Sequence, residues 1–331
     1  MESFILYITC LILGGAGAWS IGKFAPRLGL IDCPNERSSH AVPTPRGGGV
    51  GILAAFVLSS LTINIPAGFW LPATILALIS FYGDKFSISP KIRLPIQFIA
   101  ALFLIQPSAF SLQPSAFLLF SLVVFIVGTA NFYNFMDGIN GIAGITGIIA
   151  FGLLALSTSL SGEAPSFVIL ALCISLSCLG FLPFNMPKAR VFMGDVGSIL
   201  LGFVFASMVI RLSKNLLDFI CLSAFLFPFY ADELTTMIVR LKDGETLIHP
   251  HRKHLYQILA NEVRIPHWKV SGGYGLLQLL IGISVLLVRP LGSIMVLPLL
   301  MIFFAGFVLL TIRLRSRTAH LTARAQRKTL K

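Results

Sequence analysis

The sequence predicts an all-α polytopic integral membrane protein with about eleven transmembrane helices. Hydrophobic residues make up 56% of its 331 residues and charged residues only 11%, whereas soluble domains carry about a quarter charged residues. Hydrophobic runs recur from residue 3 to residue 313, and no polar stretch between them is long enough to form a separate domain. We therefore expect one transmembrane domain over residues 1–331.

Clusters of proline, glycine and charged residues divide the chain into candidate spans. They lie near 3–22, 48–66, 69–83, 94–106, 115–131, 139–160, 164–184, 196–211, 216–239, 273–289 and 292–312. The first run has an acidic Glu2 and no cation before Lys23, which predicts a retained helix rather than a cleaved signal peptide. A straight crossing takes about 20 residues, so 69–83 and 94–106 are short for spans.

The positive charges fall on one side of this arrangement. All but three of the 25 Lys and Arg residues lie on alternate connections and the C-terminal tail. The positive-inside rule then places the N-terminus outside and the C-terminus in the cytoplasm. Cytoplasmic loops are predicted near 23–47, 83–94, 131–139, 185–195 and 240–272, with a basic tail over 313–331. The net charge of +12 is thus explained by membrane topology, without a nucleic-acid partner.

The polar motifs share the predicted cytoplasmic side, whereas the opposite loops carry almost none. Ionisable groups at the mouth of a membrane span indicate function. Their confinement to one face favours an enzyme at the cytoplasmic interface. A transporter or flippase, the alternative, needs polar residues that continue across the bilayer, and these are sparse here.

The segment NFYNFMDGING, residues 131–141, places four polar side chains three residues apart at the end of an apolar run. They are Asn131, Asn134, Asp137 and Asn140. Residues at this spacing are neighbours on a helix, and carboxylate and amide oxygens suit a hard cation such as Mg²⁺. The alternative is that the asparagines end the helix and Asp137 caps the next one.

A second motif, FNMPKARVFMGDVGS, covers residues 184–198 and contains Asn185 and Asp195. Asp195 begins a new apolar run, where a carboxylate is an ordinary helix cap. The same position suits a metal ligand whose phosphate partner meets the helix N-terminus. The two roles are compatible.

Three further cytoplasmic motifs carry candidate site residues. In FYGDKFSISPKIRL the candidate is Asp84, at the end of a span. In RSSHAVPTPRGGGVG, Arg46 precedes three glycines, a pattern that suits either a phosphate cradle or a packing turn. In IHPHRKHLYQIL, the residues His251, Arg252 and His254 suit a diphosphate, with a purely topological basic loop as the alternative.

Together these motifs resemble the polyprenyl-phosphate N-acetylhexosamine-1-phosphate transferases, the glycosyltransferase 4 superfamily of WecA-like enzymes and MraY. The match includes RSxHxxPTPRGGG, NFxNFMDGI[DN]G and FNxPxAxVFMGDVGS between about residues 30 and 260. The loop form HRKHLYQ is most similar to the O-antigen branch typified by WbpL.

The resemblance implies a reaction and a set of roles. Undecaprenyl phosphate would attack a UDP-activated N-acetylated sugar, giving undecaprenyl-diphosphate-sugar and UMP at the inner membrane of a bacterium, with Mg²⁺, or alternatively Mn²⁺, as cofactor. Asp195 would be the leading metal ligand, and Asp137 with the asparagines would shape the metal and nucleotide site. His251, Arg252 and His254 would contact diphosphate or sugar, and Arg46 would lie near the lipid phosphate. A homodimer is left open.

Two positions depart from the family pattern. Gly83 precedes Asp84 where relatives usually carry two adjacent aspartates, and Asn140 stands where many have aspartate. The first departure leaves the role of Asp84 open and makes a catalytically impaired scaffold of the same fold a further alternative. The loop resemblance favours a 6-deoxy N-acetylhexosamine donor, with N-acetylglucosamine as the runner-up.

Overall fold

The computed structural model describes residues 2–34, 39–40, 42–86, 88–105, 115–246 and 252–329. Over these residues the chain is helical apart from two short strands and the connecting turns. The helices are α1 Glu2–Leu28, α2 Val50–Thr62, α3 Ala67–Phe86, α4 Pro90–Leu104, α5 Ala116–Met136, α6 Ile142–Ser161, α7 Pro165–Asn185, α8 Asp195–Leu212, α9 Leu216–Ser223, α10 Phe227–Lys242, α11 Leu255–Gln257, α12 His267–Val288 and α13 Ser293–Thr329. The strands are β1 Ile31–Asp32 and β2 Thr44–Pro45.

The predicted all-α membrane class is confirmed. Within the described residues, 8 helices are long and apolar enough to cross a membrane: α1, α3, α5, α6, α7, α8, α12 and α13. The other predicted spans also fall on helices, but α2 and α4 have only 13 and 15 residues, and α9 meets α10 through a 3₁₀ turn at Ala224–Leu226. The total of eleven spans and their orientation stay predictions.

Helix α8 lies at the centre of the bundle. Its sequence, DVGSILLGFVFASMVIRL, carries no charged residue between Asp195 and Arg211, and every residue from Val196 to Ile210 is buried. A helix without a polar face is stable only when other helices cover it completely. Its neighbours include α5 and α3, and the close approach of α5 depends on Gly202, where an added Cβ would lie 2.7 Å from Ala130. Asp195, the one acidic residue in its first turn, is thereby placed on a fixed support.

Helices α1 and α7 pack backbone against backbone. A Cβ added at Gly180 in α7 would lie 1.9 Å from the carbonyl oxygen of Leu11 in α1, and a Cβ at Gly14 would meet the carbonyl of Ser177 at the same distance. Small residues at helix contacts are the usual route to tight association in membranes, where lipid tails are as apolar as leucine.

The first loop is attached to the turn before α8 through its backbone. β1 and β2 pair antiparallel, with Ile31 opposite Pro45. Beyond β2, the Phe192 N–H donates to the Pro45 carbonyl at 2.7 Å, and the Gly48 and Gly49 N–H groups donate to the carbonyls of Phe192 and Met193 at 2.9 and 2.8 Å. These bonds hold the start of α2 beside the start of α8.

The close contact between α1 and α7 leads to a stability prediction. Gly180→Ala places a methyl group against a backbone carbonyl that cannot move without shifting α1, and we expect it to lower the free energy of unfolding by about 1–3 kcal/mol. Gly306→Ala in α13, where a Cβ meets nothing within 4 Å, is the matched control. Thermal unfolding in detergent measures both variants. Equal stability of the two would contradict the packing described here.

Candidate active site

Four helix ends meet around a cavity of about 210 Å³, which we call the acidic cavity. It lies at the start of α8 and at the carboxyl ends of α3, α5 and α7. Its lining residues are Asp32, His40, Arg46, Asp84, Asn134, Asp137, Gly138, Ile139, Asn185, Phe192, Gly194 and Asp195. Six of the predicted site residues therefore line one cavity: Arg46, Asp84, Asn134, Asp137, Asn185 and Asp195.

Asp84 attaches the end of α3 to the start of α8. Its carboxylate oxygens accept hydrogen bonds from the N–H groups of Asp195 at 3.1 Å and Val196 at 3.4 Å. A carboxylate at a helix N-terminus pairs with N–H groups that have no partner within the helix and with the positive end of the helix dipole. Gly194, at φ +75°, is required beside it, because a Cβ there would lie 2.7 Å from Asp84 Oδ2. Asp84 thus holds Asp195 in position.

The Asp195 side chain has polar partners on both oxygens. Arg93, in α4, places a guanidinium nitrogen 2.6 Å from Oδ2. Asn134, near the end of α5, donates through Nδ2 to Oδ1 at 2.8 Å and to the Ser198 hydroxyl at 2.8 Å. Two neighbouring helices, α4 and α5, therefore orient this carboxylate. A cation bound to Oδ2 would take the place of Arg93.

Asp137 follows the last residue of α5 and faces the same cavity. Burial raises the pKa of the Asp137 carboxyl well above its usual range, and the negative charges of Asp195 and Asp84 raise it further. Like charges brought together in this way repel one another unless a cation or a proton neutralises one of them. The electrostatics of the cavity thus favour a positively charged ligand.

Two donors in the cavity wall have no hydrogen-bond acceptor among the described residues. They are the buried atoms Nε of Arg46 and Nε2 of His40. The nearest carboxylate to His40 is that of Asp32, whose Oδ2 lies 3.9 Å from Nε2, beyond hydrogen-bond distance. The other end of the Arg46 guanidinium donates to the Asp84 carbonyl, which fixes its direction. His40 lies edge-on to Phe192, with ring centroids 4.8 Å apart. Buried donors normally have partners, so this wall suits an oxyanion ligand.

Asn185 connects the two loops that form one side of the cavity. Its Oδ1 accepts from the Gly141 N–H at 2.6 Å, and its Nδ2 donates to the Val191 carbonyl at 2.9 Å. Both bonds join backbone groups, so the side chain fixes the shape of the cavity.

The other two asparagines of the predicted series are not brought to the cavity. Asn131 donates to the Gln97 side chain at 2.6 Å. Asn140 donates to the Pro187 carbonyl at 3.3 Å. The helical spacing extends only to Met136, where α5 ends, so the four polar residues do not form one continuous strip.

The basic loop has a buried anchor. Asp232, in α10, accepts from the N–H groups of Leu255 at 2.8 Å and Tyr256 at 3.3 Å and from the Tyr274 hydroxyl at 2.6 Å. Tyr256 in turn donates to the Phe135 carbonyl at 3.0 Å, at the end of α5. Asp232 therefore ties this loop to the helices that carry the cavity.

The predicted residues of the basic loop are not found in the cavity wall. His254 is buried, with Nδ1 3.6 Å from Asp232 and Nε2 3.6 Å from Glu233. Burial alone would lower the pKa of His254, but the adjacent carboxylates of Asp232 and Glu233 outweigh this and raise it. Arg252 is exposed, and His251 lies outside the described residues.

Several residues in or behind the cavity were missing from the predicted site. The sequence indicates only a topological charge for Arg93, and Ser198 and His40 appear only as parts of motifs. The spacing of Arg93, nine residues after Asp84 on the next helix, gives no sign that the two converge.

The donor set fits a divalent cation with few protein ligands. Among the residues that the structure describes, no group of three or more His, Cys, Asp or Glu side chains is arranged to hold a metal. Mg²⁺ usually takes one or two protein carboxylates and completes its shell with water and substrate phosphates. Asp137 and Asp195 line the same cavity and meet that requirement.

Acidic side chains thus lie beside buried nitrogen donors at one end of a bundle of apolar helices, an arrangement that suits a cation and an oxyanion in one site. A family model described as Glycosyl transferase family 4 matches residues 66–213, which include Asp84, Asp137 and Asp195.

Relatives with assigned names cover most of the chain. The decaprenyl-phosphate N-acetylglucosaminephosphotransferase of Mycobacterium leprae is 29% identical over 78% of this chain and 77% of its own. An undecaprenyl-phosphate alpha-N-acetylglucosaminyl 1-phosphate transferase of Thermotoga maritima is 29% identical over 80% and 84%. The Salmonella typhimurium protein of the same name is 26% identical over 72% and 71%. The chain is thus similar, over most of its length, to proteins named as polyprenyl-phosphate N-acetylglucosamine phosphotransferases.

The Asp232 anchor leads to a prediction for the basic loop. Asp232→Asn removes the charge that accepts the Leu255 and Tyr256 N–H groups. We expect hydrogen exchange at these two amides to accelerate by about tenfold or more, the loss associated with charged hydrogen bonds. Asp243→Asn is the control, because Asp243 pairs with Lys253 in the same region but accepts neither amide. Unchanged exchange in Asp232→Asn would remove the anchoring role.

Proposed function

We propose that this protein transfers an N-acetylated sugar-1-phosphate from a UDP-sugar to undecaprenyl phosphate. A phosphate oxygen of the lipid attacks the β-phosphorus of the UDP-sugar, and the bond from that phosphorus to the bridging oxygen breaks. The products are undecaprenyl-diphosphate-sugar and UMP. The match to the glycosyl transferase family 4 model over residues 66–213 and the names of the relatives, which act on polyprenyl phosphates, support this reaction.

The observation that carries the proposal is the composition of the acidic cavity. It combines carboxylates from the ends of α3, α5 and the start of α8 with buried donors of Arg46 and His40 that have no acceptor among the described residues. Phosphoryl transfer depends mainly on positioning and on neutralising charge. Carboxylates for a cation next to donors for phosphate oxygens are the groups that such a reaction requires.

Each group of residues has a proposed role. Asp195 and Asp137 would hold Mg²⁺, or alternatively Mn²⁺, which when bound neutralises the charge of the diphosphate. Arg46 and His40 would bind phosphate oxygens, with Arg46 on the lipid phosphate. Asn134 and Asn185 would orient Asp195 and the cavity loops. Arg252, His251 and His254 remain candidates for diphosphate or sugar contacts, and for His254 this requires the side chain to leave its buried position.

The attacking phosphate needs no strong base. A phosphate monoester has a second pKa of about 6 and is largely ionised at neutral pH. Asp84 is engaged with two backbone N–H groups, so its proposed role is to position Asp195. The glycine at 83 is compatible with catalysis on this view, because the missing aspartate would not be required as a base.

The cellular setting is also part of the proposal. The charge distribution favours a bacterial inner membrane protein with its acidic cavity on the cytoplasmic face, and the HRKHLYQ loop favours the start of O-antigen or a related surface polysaccharide. The loop supports a 6-deoxy N-acetylhexosamine donor, whereas the names of the relatives support N-acetylglucosamine. Both belong in the first set of donors tested.

An assay of UMP release tests the reaction. Purified protein is incubated with undecaprenyl phosphate, Mg²⁺ and each UDP-sugar. Asp195→Asn and Asp137→Asn are each expected to lower the rate by about 10²-fold or more, because metal charge stabilisation contributes several kcal/mol. Asp243→Asn, which changes an exposed carboxylate outside the cavity, keeps the wild-type rate. Full activity in Asp195→Asn would remove the metal assignment.

Failure with every donor, in protein shown to be folded, would favour the scaffold alternative that Gly83 suggests. Gly83→Asp is then the diagnostic variant. A Cβ at this position meets only Ile88, at 3.8 Å, so the first carbon of the new side chain fits. UMP release that appears only in Gly83→Asp would identify the wild-type chain as an impaired enzyme of the same fold.

Metal binding is tested separately from turnover. Because Arg93 pairs with Asp195 Oδ2, it competes with a cation for that oxygen. Mn²⁺ binding followed by electron paramagnetic resonance is expected to tighten in Arg93→Gln and to weaken in Asp195→Asn. Lys91→Gln, which removes an exposed charge from the same helix, is the control. Mn²⁺ affinity that is the same in Arg93→Gln and Lys91→Gln contradicts the competition.

A further inference from the structure

A second cavity lies at the opposite end of α8 from the acidic cavity. It has a volume of about 500 Å³ and is lined by the carboxyl ends of α6 and α8, the start of α7 and the segment before and within α9. We call it the far pocket. The 18 residues of α8 separate the two cavities by about 27 Å, at 1.5 Å per residue, which is close to the thickness of the hydrocarbon core of a bilayer.

The far pocket gathers the basic residues of its side of the membrane. Arg211, Lys214 and Arg289 all line it, and they are the same three cations that the loop pattern assigns to the side opposite the acidic cavity. Cations are depleted on that side of a membrane protein. The three cations of the far pocket come from the end of α8, the α8–α9 turn and the end of α12. Membrane topology therefore does not explain why they gather in one cavity.

Two of the three cations already have carboxylate partners. Lys214 pairs with Glu163. Arg289 pairs with Asp218 at 2.7 Å and lies 3.4 Å from the Ser157 hydroxyl. These pairs form a clasp between α6, α9 and α12. Three cations against two carboxylates leave the lining with one net positive charge.

Arg211 supplies the excess charge. Among the described residues, no carboxylate pairs with its guanidinium, which lies over the Phe167 ring with its central carbon 5.9 Å from the ring centroid. The side chain is exposed to the pocket mouth. A guanidinium oriented by an aromatic ring and not neutralised by a carboxylate is suited to bind a planar or tetrahedral oxyanion.

We propose that the far pocket binds a phosphate group through Arg211, and that its source is the phosphodiester headgroup of an anionic membrane lipid. The position at the ends of α6, α8 and α12 places the pocket at headgroup depth. A phosphodiester carries one negative charge and matches the one excess positive charge of the lining. The hydroxyls of Ser157, Thr158 and Ser161 in the same wall supply polar neighbours for the remaining phosphate oxygens.

The alternative is that the cations serve only as the clasp. Arg211→Gln separates the two readings, because Arg211 belongs to neither ion pair and its loss leaves the clasp intact. Lys242→Gln, at the end of α10 on the acidic-cavity side, removes one exposed charge in the same way and is the control. Equal thermal unfolding temperatures of the wild type and both variants verify that folding is preserved.

The experiment measures lipid retained by the full chain. Protein is released from nanodiscs that contain equal amounts of phosphatidylglycerol and phosphatidylcholine, and bound lipid is counted by native mass spectrometry. We expect the wild type and Lys242→Gln to retain phosphatidylglycerol in preference to phosphatidylcholine. Arg211→Gln should retain about tenfold less phosphatidylglycerol, the factor for one charge-assisted hydrogen bond.

A second arm adds inorganic phosphate before release. Phosphatidylglycerol that stays bound supports the lipid headgroup as the source. Displacement by inorganic phosphate from the wild type, but not from Arg211→Gln, supports the phosphate site and overturns the lipid as its source. The proposal is overturned if the wild type and Arg211→Gln retain equal amounts of phosphatidylglycerol, or if Arg211→Gln and Lys242→Gln lose equal amounts. Either result would mean that the cations serve only in the clasp.

Discussion

The contact between the Asp84 carboxylate and the first N–H groups of α8 is the constraint on which the candidate site depends. It joins residues 111 positions apart in the chain. A buried carboxylate is costly unless hydrogen bonds satisfy it, and a helix that starts inside a protein leaves N–H groups that need acceptors. The Asp84 carboxylate and the first N–H groups of α8 therefore satisfy each other's hydrogen bonds. These hydrogen bonds fix the position of Asp195 relative to α3.

The rest of the architecture maintains that contact. Because α8 carries no charged residue over its buried length, it must be surrounded, and Gly202 and Gly194 allow α5 and Asp84 to come close enough. Asn134 and Arg93 then reach the Asp195 carboxylate from α5 and α4. Asp232 applies the same principle on α10, where a buried carboxylate accepts the first N–H groups of a short helix. Both sites use a helix start to stabilise a buried negative charge.

The sequence predicted the membrane class and the positions of the helices, and six of its candidate site residues line the acidic cavity: Arg46, Asp84, Asn134, Asp137, Asn185 and Asp195. The membrane class and the helices could be predicted because apolar runs and glycine clusters are local signals. The division of roles within the site could not be predicted. Whether Asp84 serves as a base or as a helix cap depends on a neighbour 111 residues away. The buried position of His254 likewise depends on a tertiary contact, because the partner of its side chain is Asp232 on another helix.

The ladder of backbone bonds between residues 45–49 and 192–193 has a consequence for how such a site can diversify. Backbone groups are the same for every amino acid, so the ladder tolerates side-chain replacement where space allows. It is sensitive to chain length, because one extra residue between Arg46 and Gly49 would shift the register and move the guanidinium away from the Asp84 carbonyl. New specificity is therefore more accessible through point substitutions in the surrounding loops than through changes in the length of this segment.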